Sequence, residues 1–210
     1  MTLKGRSTKI CHPELVSGSI LISYSILALR KNKNFPSTTK TKFMTISMYD
    51  ALIPLSINNL ENLSAILAKA ESHAQSKKID ESIFINARLF PDMLPFSRQV
   101  QIACDTAKAG AARLAEIEVP SHPDVEKTFG ELQTRINKTI EFLKTIKPAH
   151  INGKEDLKIS YIQREKEKNF IGLPYLLNHI LPNIFFHITT AYAILRHNGI
   201  EIGKKDFLGN

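Results

Sequence analysis

The sequence lacks the short motifs that mark the common classes of enzyme. It contains no GxGxxG or P-loop for binding nucleotide phosphates, no GxSxG around a nucleophilic serine and no CxxC pair. Carboxylates such as Asp92 and Asp105 are present, but nothing in their spacing picks out an acid and base couple. The residues taken by themselves therefore assign no reaction to this chain.

Cysteine is scarce, and the chain has no apolar run of membrane-spanning length. Its two cysteines, Cys11 and Cys104, lie on opposite sides of a change in composition near residue 43, so we expect reduced thiols and a cytoplasmic protein. The apolar run from Ile20 to Leu29 is too short to span a bilayer, and no small-x-small cleavage site follows it. We therefore expect neither export nor a membrane partner.

Acidic residues are almost absent from the first 43 residues. Eight lysines and arginines there face a single acidic side chain, Glu14, so this stretch holds most of the net charge of +8 and the remainder is nearly neutral. Because the basic excess lies outside the folded part, we expect no nucleic-acid partner. Met44 resembles a natural start. We predict a basic leader over residues 1–43, disordered or outside the true start, and one domain over residues 44–210.

Three stretches repeat apolar residues at intervals of three and four, which predicts long amphipathic helices. The stripes are Ile53, Ile57, Leu60, Leu63, Leu67 and Ala70; Phe96, Val100, Ala103, Cys104, Ala107, Ala111 and Leu114; and Phe129, Leu132, Ile136, Ile140, Leu143 and Ile146. We expect the first helix to end near residues 73–77 and Asp80 to cap a short helix. Ser121 and Asp124 form a capping-box-like start for the third long helix.

A different pattern precedes the last helix. Leu157, Ile159 and Tyr161 alternate with polar residues, which predicts a two-stranded hairpin or an ordered loop. The last helix is expected to begin near Pro174, to continue or kink at Pro182, and to end at Gly199. The fold class is therefore all-α, a four-helix bundle in which inward-pointing side chains form sites between facing helices.

The last helix carries a column of polar residues on its apolar side. His179, Asn183 and His187 are each one helical turn beyond the previous one and share one face. Buried polar groups need partners, so the column either is hydrogen-bonded architecture or belongs to a site.

Two alternatives remain open for His187. Its ring could be a hydrogen-bonded core histidine, with Asn183, Thr190 or a backbone carbonyl as partner. It could instead bind a divalent metal with a ligand from another helix, for which we consider His73, Gln101 and Asp105. An amide at Asn183 is a poor zinc ligand. His179 and His197 are expected to be ordinary residues near the kink and the helix end.

Several segments resemble a bacterial domain family of unknown function, number nineteen-ninety-three in the usual series. They are Met48–Asp50, Asn86–Met93, Arg98–Gln101 and Leu181–Gly199, together with Gly203, Lys204 and Asp206. The resemblance covers about Met44 to Gly209. That family is similar to the DinB/YfiT-like helical bundles, which are typically dimeric, often carry a three-histidine metal site and include thiol-dependent transferases.

The resemblance implies a DinB-like four-helix core and a homodimer. In the wider group the last helix carries two histidines four residues apart. His187 matches the second of these, whereas Asn183 stands at the first. The resemblance thus implies a divalent metal (zinc, nickel or iron) only at a degenerate site, since loss of one ligand weakens a metal site strongly. Arg88, Asp92 and Arg98 belong to the family's own motif and join His179, Asn183, His187, Gln101 and Asp105 as candidates for a pocket.

Two functions of different class are compatible with this sequence. The first, which we favour, is a non-catalytic or ligand-binding DinB-like bundle, whose polar column stabilises a pocket between helices that a small-molecule ligand could occupy. The second is a metal-dependent transferase or hydrolase that uses His187. Metal determination on the purified protein separates the two.

Overall fold

The computed structural model describes residues 45–209; the predicted leader, Cys11 and the apolar run from Ile20 to Leu29 lie outside this range. Its helices and strands are α1 (Met48–Lys77), α2 (Glu81–Ile85), α3 (Phe96–Leu114), α4 (Phe129–Thr145), α5 (Pro148–Ile151), β1 (Lys158–Gln163), β2 (Lys166–Ile171), α6 (Gly172–Tyr175), a π-helical segment (Leu176–Ile180), α7 (Leu181–His197) and α8 (Lys204–Leu208). No helix among these residues is long and apolar enough to cross a membrane.

The four long helices form the predicted bundle. Each packs against two neighbours, in the cyclic order α1, α4, α3 and α7, and the contact between α3 and α7 is the most extensive. The predicted stripes supply the core, where Leu60, Leu67, Val100, Leu132 and Ile136 are fully buried. Cys104 is also fully buried, and burial raises the pKa of its thiol to about 12, so it acts as a small core residue.

The caps explain where the helices begin. The Ser47 side chain accepts a hydrogen bond from Asp50 N–H at the start of α1, and Asp80 caps α2 as predicted. The predicted start of the third long helix is wrong. Thr128, and not Ser121, caps α4, and its hydroxyl accepts from Glu131 N–H. Ser121 and Asp124 lie in the loop before α4, where Asp124 forms ion pairs instead.

The predicted hairpin is present, antiparallel, with Lys158 opposite Ile171 and Gln163 opposite Lys166. Arg164 and Glu165 form the two-residue turn with φ values of 49° and 63°. Positive φ at both central residues is characteristic of a type I′ turn, whose backbone twist matches the twist of the two strands that it joins. At its other end the hairpin is tied to the preceding loop, since Gly172 N–H donates to Leu157 O at 2.8 Å.

A π-helical turn directly before Pro182 lets the last helix continue past this proline. Leu181 N–H donates to Leu176 O, five residues earlier, in place of the usual four. Proline lacks the N–H for an α-helical bond, and its ring would clash with the carbonyl four residues before it. The wider turn removes that clash and keeps α6, the π segment and α7 in one continuous rod. It also places His179 inside the π segment.

Candidate functional site

A cavity of about 460 Å³ lies between α3, α7 and the hairpin. The polar column of the last helix forms one wall of it, because His179, Asn183 and His187 all line the cavity. Opposite them stand Leu94, Arg98, Ile102, Asp105, Thr106, Ala109 and Arg113 from α3 and the segment before it, and Tyr161, Gln163 and Arg164 close one end from the hairpin. Tyr175 and Ile180 complete the lining.

His187 is buried and bonded at the end of the cavity near Leu94. Its Nδ1 lies 2.7 Å from Oε1 of Gln99, a residue that is itself only 2% exposed. Gln99 donates its Nε2 to Leu94 O at 2.9 Å, which fixes the amide with its oxygen toward the ring. The ring nitrogen Nδ1 is therefore the donor, and Nε2 is left unprotonated. Burial, helped by the nearby Arg98 guanidinium, lowers the pKa of His187 below 6.5 and keeps the ring neutral.

The hydrogen-bond partner predicted for His187 is corrected by this geometry. Asn183 instead donates to Thr106 Oγ1 at 3.4 Å, and Thr190 donates to the backbone carbonyl of Phe186. Gln101 was named from the sequence as a candidate metal ligand and pocket residue and Gln99 was not, although the place of Gln99 one turn after Phe96 puts it on the inward face of α3.

The other end of the cavity is built from aromatic rings around Arg113. The Arg113 guanidinium lies 3.6 Å from the centroid of the Tyr161 ring, and its Nη1 donates to the Tyr175 hydroxyl at 2.9 Å. His179 stacks on Tyr175, with ring centroids 5.5 Å apart. Burial raises the pKa of Tyr175 to about 12, and burial beside Arg113 and Lys168 lowers the pKa of His179. Both groups are therefore uncharged at neutral pH.

A network of ion pairs supports the wall between the two ends. We call it the Arg135 network: three cations and three carboxylates, namely Arg98, Lys108, Arg135, Asp105, Asp124 and Glu126. The side chain of Arg135 is 1% exposed, and its two terminal nitrogens reach all three carboxylates. Burial opposes the charge, but Glu126 and Asp105 outweigh it and raise the pKa of Arg135. Apolar periodicity does not point to Arg135 or Lys108, because charged side chains on a helix are ordinarily solvated.

The structure separates the remaining candidates. Arg98 and Asp105 line the cavity, whereas Gln101 is 2% exposed and lies behind it, bonded to Arg98 and Glu126. Arg88 and Asp92 do not line the cavity, and Arg88 donates to the Met93 carbonyl, which holds the chain before α3.

The donor set does not fit the three-ligand metal site that the DinB/YfiT resemblance suggested. Within residues 45–209 no three His, Cys, Asp or Glu side chains stand where they could share an ion. Asn183 bonds to Thr106, Asp105 is held by Lys108 and Arg135, and His73 packs its ring against Phe84 elsewhere in the bundle. The cavity therefore offers the neutral imidazoles of His179 and His187, hydroxyl and amide groups, and guanidinium groups, which suit hydrogen bonding to a ligand.

Removal of the His187 ring is expected to affect stability and not metal content. His187→Ala leaves the buried Gln99 oxygen unpaired, which costs about 1–3 kcal/mol of unfolding free energy at pH 7. Metal determination on both proteins should find only substoichiometric zinc, nickel or iron. A metal that copurifies one to one and disappears in the variant would contradict this.

The same ring predicts the pH dependence. The folded protein holds His187 neutral, whereas the unfolded chain protonates it near pH 6.5. The wild type should therefore lose stability as the pH falls below 6.5, and the variant should lose less. Urea unfolding at about pH 7 and about pH 5 measures the difference, and equal losses in both proteins would count against a neutral buried ring.

Comparison with known proteins places these observations in context. The family model described as a domain of unknown function (DUF1993) matches residues 48–208. The crystal structure of a DinB family member protein from Shewanella denitrificans is similar to this chain, with 43% sequence identity and a TM-score of 0.73. The match covers 78% of this chain and 92% of that one. No curated protein matches. The predicted family resemblance and DinB-like helical fold are thus confirmed.

Proposed function

This chain belongs to the DUF1993 family, and we propose that it is a binding protein without catalytic activity, whose small-molecule ligand occupies the cavity between α3 and α7. The observation that carries the proposal is the cavity itself. It is large enough for a small ligand, and polar groups from α3, α7 and the hairpin converge on it. Ligand pockets in helical bundles are commonly built in this way, between facing helices.

The groups around the cavity favour binding over catalysis. Tyr175, with its raised pKa, is a poor base at neutral pH, and Asp105 already accepts from both Lys108 and Arg135. His187 is fixed by Gln99 and has no nucleophilic serine or cysteine beside it among the lining residues. These groups are therefore arranged to orient a ligand by hydrogen bonds.

A blocking substitution tests the proposal. Ala109 lines the cavity from α3, so Ala109→Phe should fill it, whereas Ala65→Phe adds the same ring to α1, away from the cavity lining. We expect small molecules found by NMR screening of the full chain to shift amide signals around the cavity, and Ala109→Phe alone to abolish those shifts. Hits that bind elsewhere, or that bind the blocked variant equally well, would refute the proposal.

We further propose that the protein is a homodimer, as the DinB-like resemblance implied, and that it is cytoplasmic, as its two cysteines indicate. Exposed apolar side chains on the last helical rod support a self-contact, since Leu177 is 47% and Phe186 57% exposed. Light scattering should give a mass near twice the 23.6 kDa of one chain. Leu177→Glu should lower that mass, and a monomeric wild type would be the adverse result.

A further inference from the structure

We propose that the Arg113 end of the cavity binds a carboxylate group, so that the ligand is a small organic acid. This inference rests on the proposed binding function and specifies the chemistry of its ligand. The residues concerned are Arg113, Tyr161, Arg164, Tyr175 and His179, which we call the Arg113 subsite.

The distribution of charge around the cavity singles out this end. Arg98 and Asp105 line the cavity but belong to the Arg135 network, in which three cations face three carboxylates. That network is balanced and offers little net attraction to an ion. Arg113, by contrast, pairs with no carboxylate among residues 45–209, and its partners are the neutral Tyr161 ring and Tyr175 hydroxyl.

A second cation adds to the uncompensated charge. Arg164 lines the same end from the hairpin turn, where its φ of 49° is sterically unfavourable for a residue with a side chain. Pairing of β1 with β2 holds the turn in place over the cavity. The Arg113 subsite therefore presents two guanidinium groups to a ligand, and Asp105 is the single carboxylate among the described residues that line the cavity.

The orientation of Arg113 favours a planar anion. Its guanidinium lies over the Tyr161 face, and one terminal nitrogen is fixed by Tyr175, which is fully buried. Stacking leaves only the edge of the guanidinium for further hydrogen bonds, and a carboxylate matches that edge with two parallel acceptors. A ligand held there by its acid group would lie with its body along Thr106 and Asn183, the hydrogen-bonded pair at the middle of the cavity.

The test compares matched acids and amides on the full chain. Benzoate and benzamide have nearly the same shape and differ in charge, and phenyl phosphate presents a tetrahedral dianion on the same ring. Titrations of ¹⁵N-labelled protein would follow backbone amide signals around the cavity in every variant and, in the wild type, also the Arg113 Nε–H signal, assigned by its loss in Arg113→Gln. Since hydrogen bonds to charged groups are stronger than those between neutral groups, we expect benzoate to bind about tenfold or more tighter than benzamide.

Two arginine variants identify the subsite. Arg113→Gln should weaken the binding of benzoate about tenfold and leave the binding of benzamide unchanged. Arg113→Lys keeps the charge but loses the guanidinium edge with its two parallel N–H donors, so its affinity for benzoate should be intermediate. Arg196→Gln, on the exposed end of α7, should change nothing. Arg113→Lys decides the matter if the glutamine variant does not fold.

Several results would overturn the inference. They are equal affinities for benzoate and benzamide, tighter binding of phenyl phosphate than of benzoate, wild-type affinity for benzoate in both Arg113 variants, or no binding of benzoate. If benzoate does not bind, but other small molecules bind and Ala109→Phe prevents their binding, the carboxylate inference is wrong and the proposed function is still supported. If no small molecule binds the cavity, both fall.

Discussion

Replacement of Arg135 by methionine is expected to lower the free energy of unfolding by about 3–5 kcal/mol, the usual cost of removing one partner from a buried ion pair. Methionine retains an unbranched apolar stem but leaves Asp105, Asp124 and Glu126 without the cation that joins them. Arg135 also donates to the backbone carbonyl of Pro123 at 3.1 Å, so the loop before α4 loses an anchor. Urea unfolding at about pH 7 measures the loss.

A matched control separates burial from the simple removal of an arginine. Arg98 shares the partner Asp124 with Arg135, but its side chain is 37% exposed. Arg98→Met should therefore cost less than Arg135→Met, about 1–3 kcal/mol, because it removes an exposed ion pair and leaves the buried Gln101 oxygen without its donor. Similar losses in the two variants would contradict the central role of Arg135 in the network.

Acid should weaken the same network. Burial opposes ionisation of Glu126, but hydrogen bonds from Arg135, its own backbone and Gln101 outweigh that effect and lower its pKa below 4.5. A carboxylate with a depressed pKa stabilises the fold above its unfolded pKa, and that contribution is lost as the pH falls through the folded pKa. The wild type should thus lose more stability than Arg135→Met between about pH 5 and about pH 3. Parallel pH profiles would argue against this coupling.

Periodicity predicted the helices because apolar side chains at intervals of three and four must lie on one face. The stripe from Ile53 to Ala70 and that from Phe129 to Ile146 correspond to α1 and α4, and the alternation around Tyr161 corresponds to β1. The start of α4 was missed because Ser121 and Thr128 are both good caps, and local pattern does not show which of them follows the end of the loop.

Spacing along the chain predicted the side of the cavity that the last helix forms, whereas Arg98 and Asp105 on the opposite side were named as candidates without a geometric reason. His179, Asn183 and His187 share a face by their spacing alone, and the structure places all three around one cavity. Gln99, Arg113 and Tyr161 come from other elements, and their positions depend on how α3 and the hairpin pack against α7. The burial of Lys108 and Arg135 could not be predicted from the sequence, because a charged residue in a helix is ordinarily solvated. Only their tertiary partners show that these two side chains are buried.

Gly172→Ala should disturb the joint that holds the hairpin over the cavity. A Cβ atom at residue 172 would lie 1.9 Å from the carbonyl oxygen of Lys154, and backbone has to move to accommodate it. Gly172 and Leu173 also donate to the carbonyls of Leu157 and Glu155, so the shift would strain two hydrogen bonds. We expect a loss of about 1–3 kcal/mol in unfolding free energy, as for other overpacked sites.

Gly130→Ala is the matched control, because it makes the same substitution in the first turn of α4, where a Cβ meets nothing within 4 Å. Alanine there should stabilise the protein by about 0.4–1 kcal/mol, since it restricts the unfolded chain and favours the helix. Thermal unfolding of the two variants should therefore show shifts of opposite sign. Because the hairpin carries Tyr161 onto Arg113, Gly172→Ala should also weaken the tyrosine signal in near-ultraviolet circular dichroism, whereas Gly130→Ala should preserve it. A stable Gly172→Ala protein with an unchanged spectrum would show that the close approach to Lys154 is not needed to hold the hairpin over the cavity.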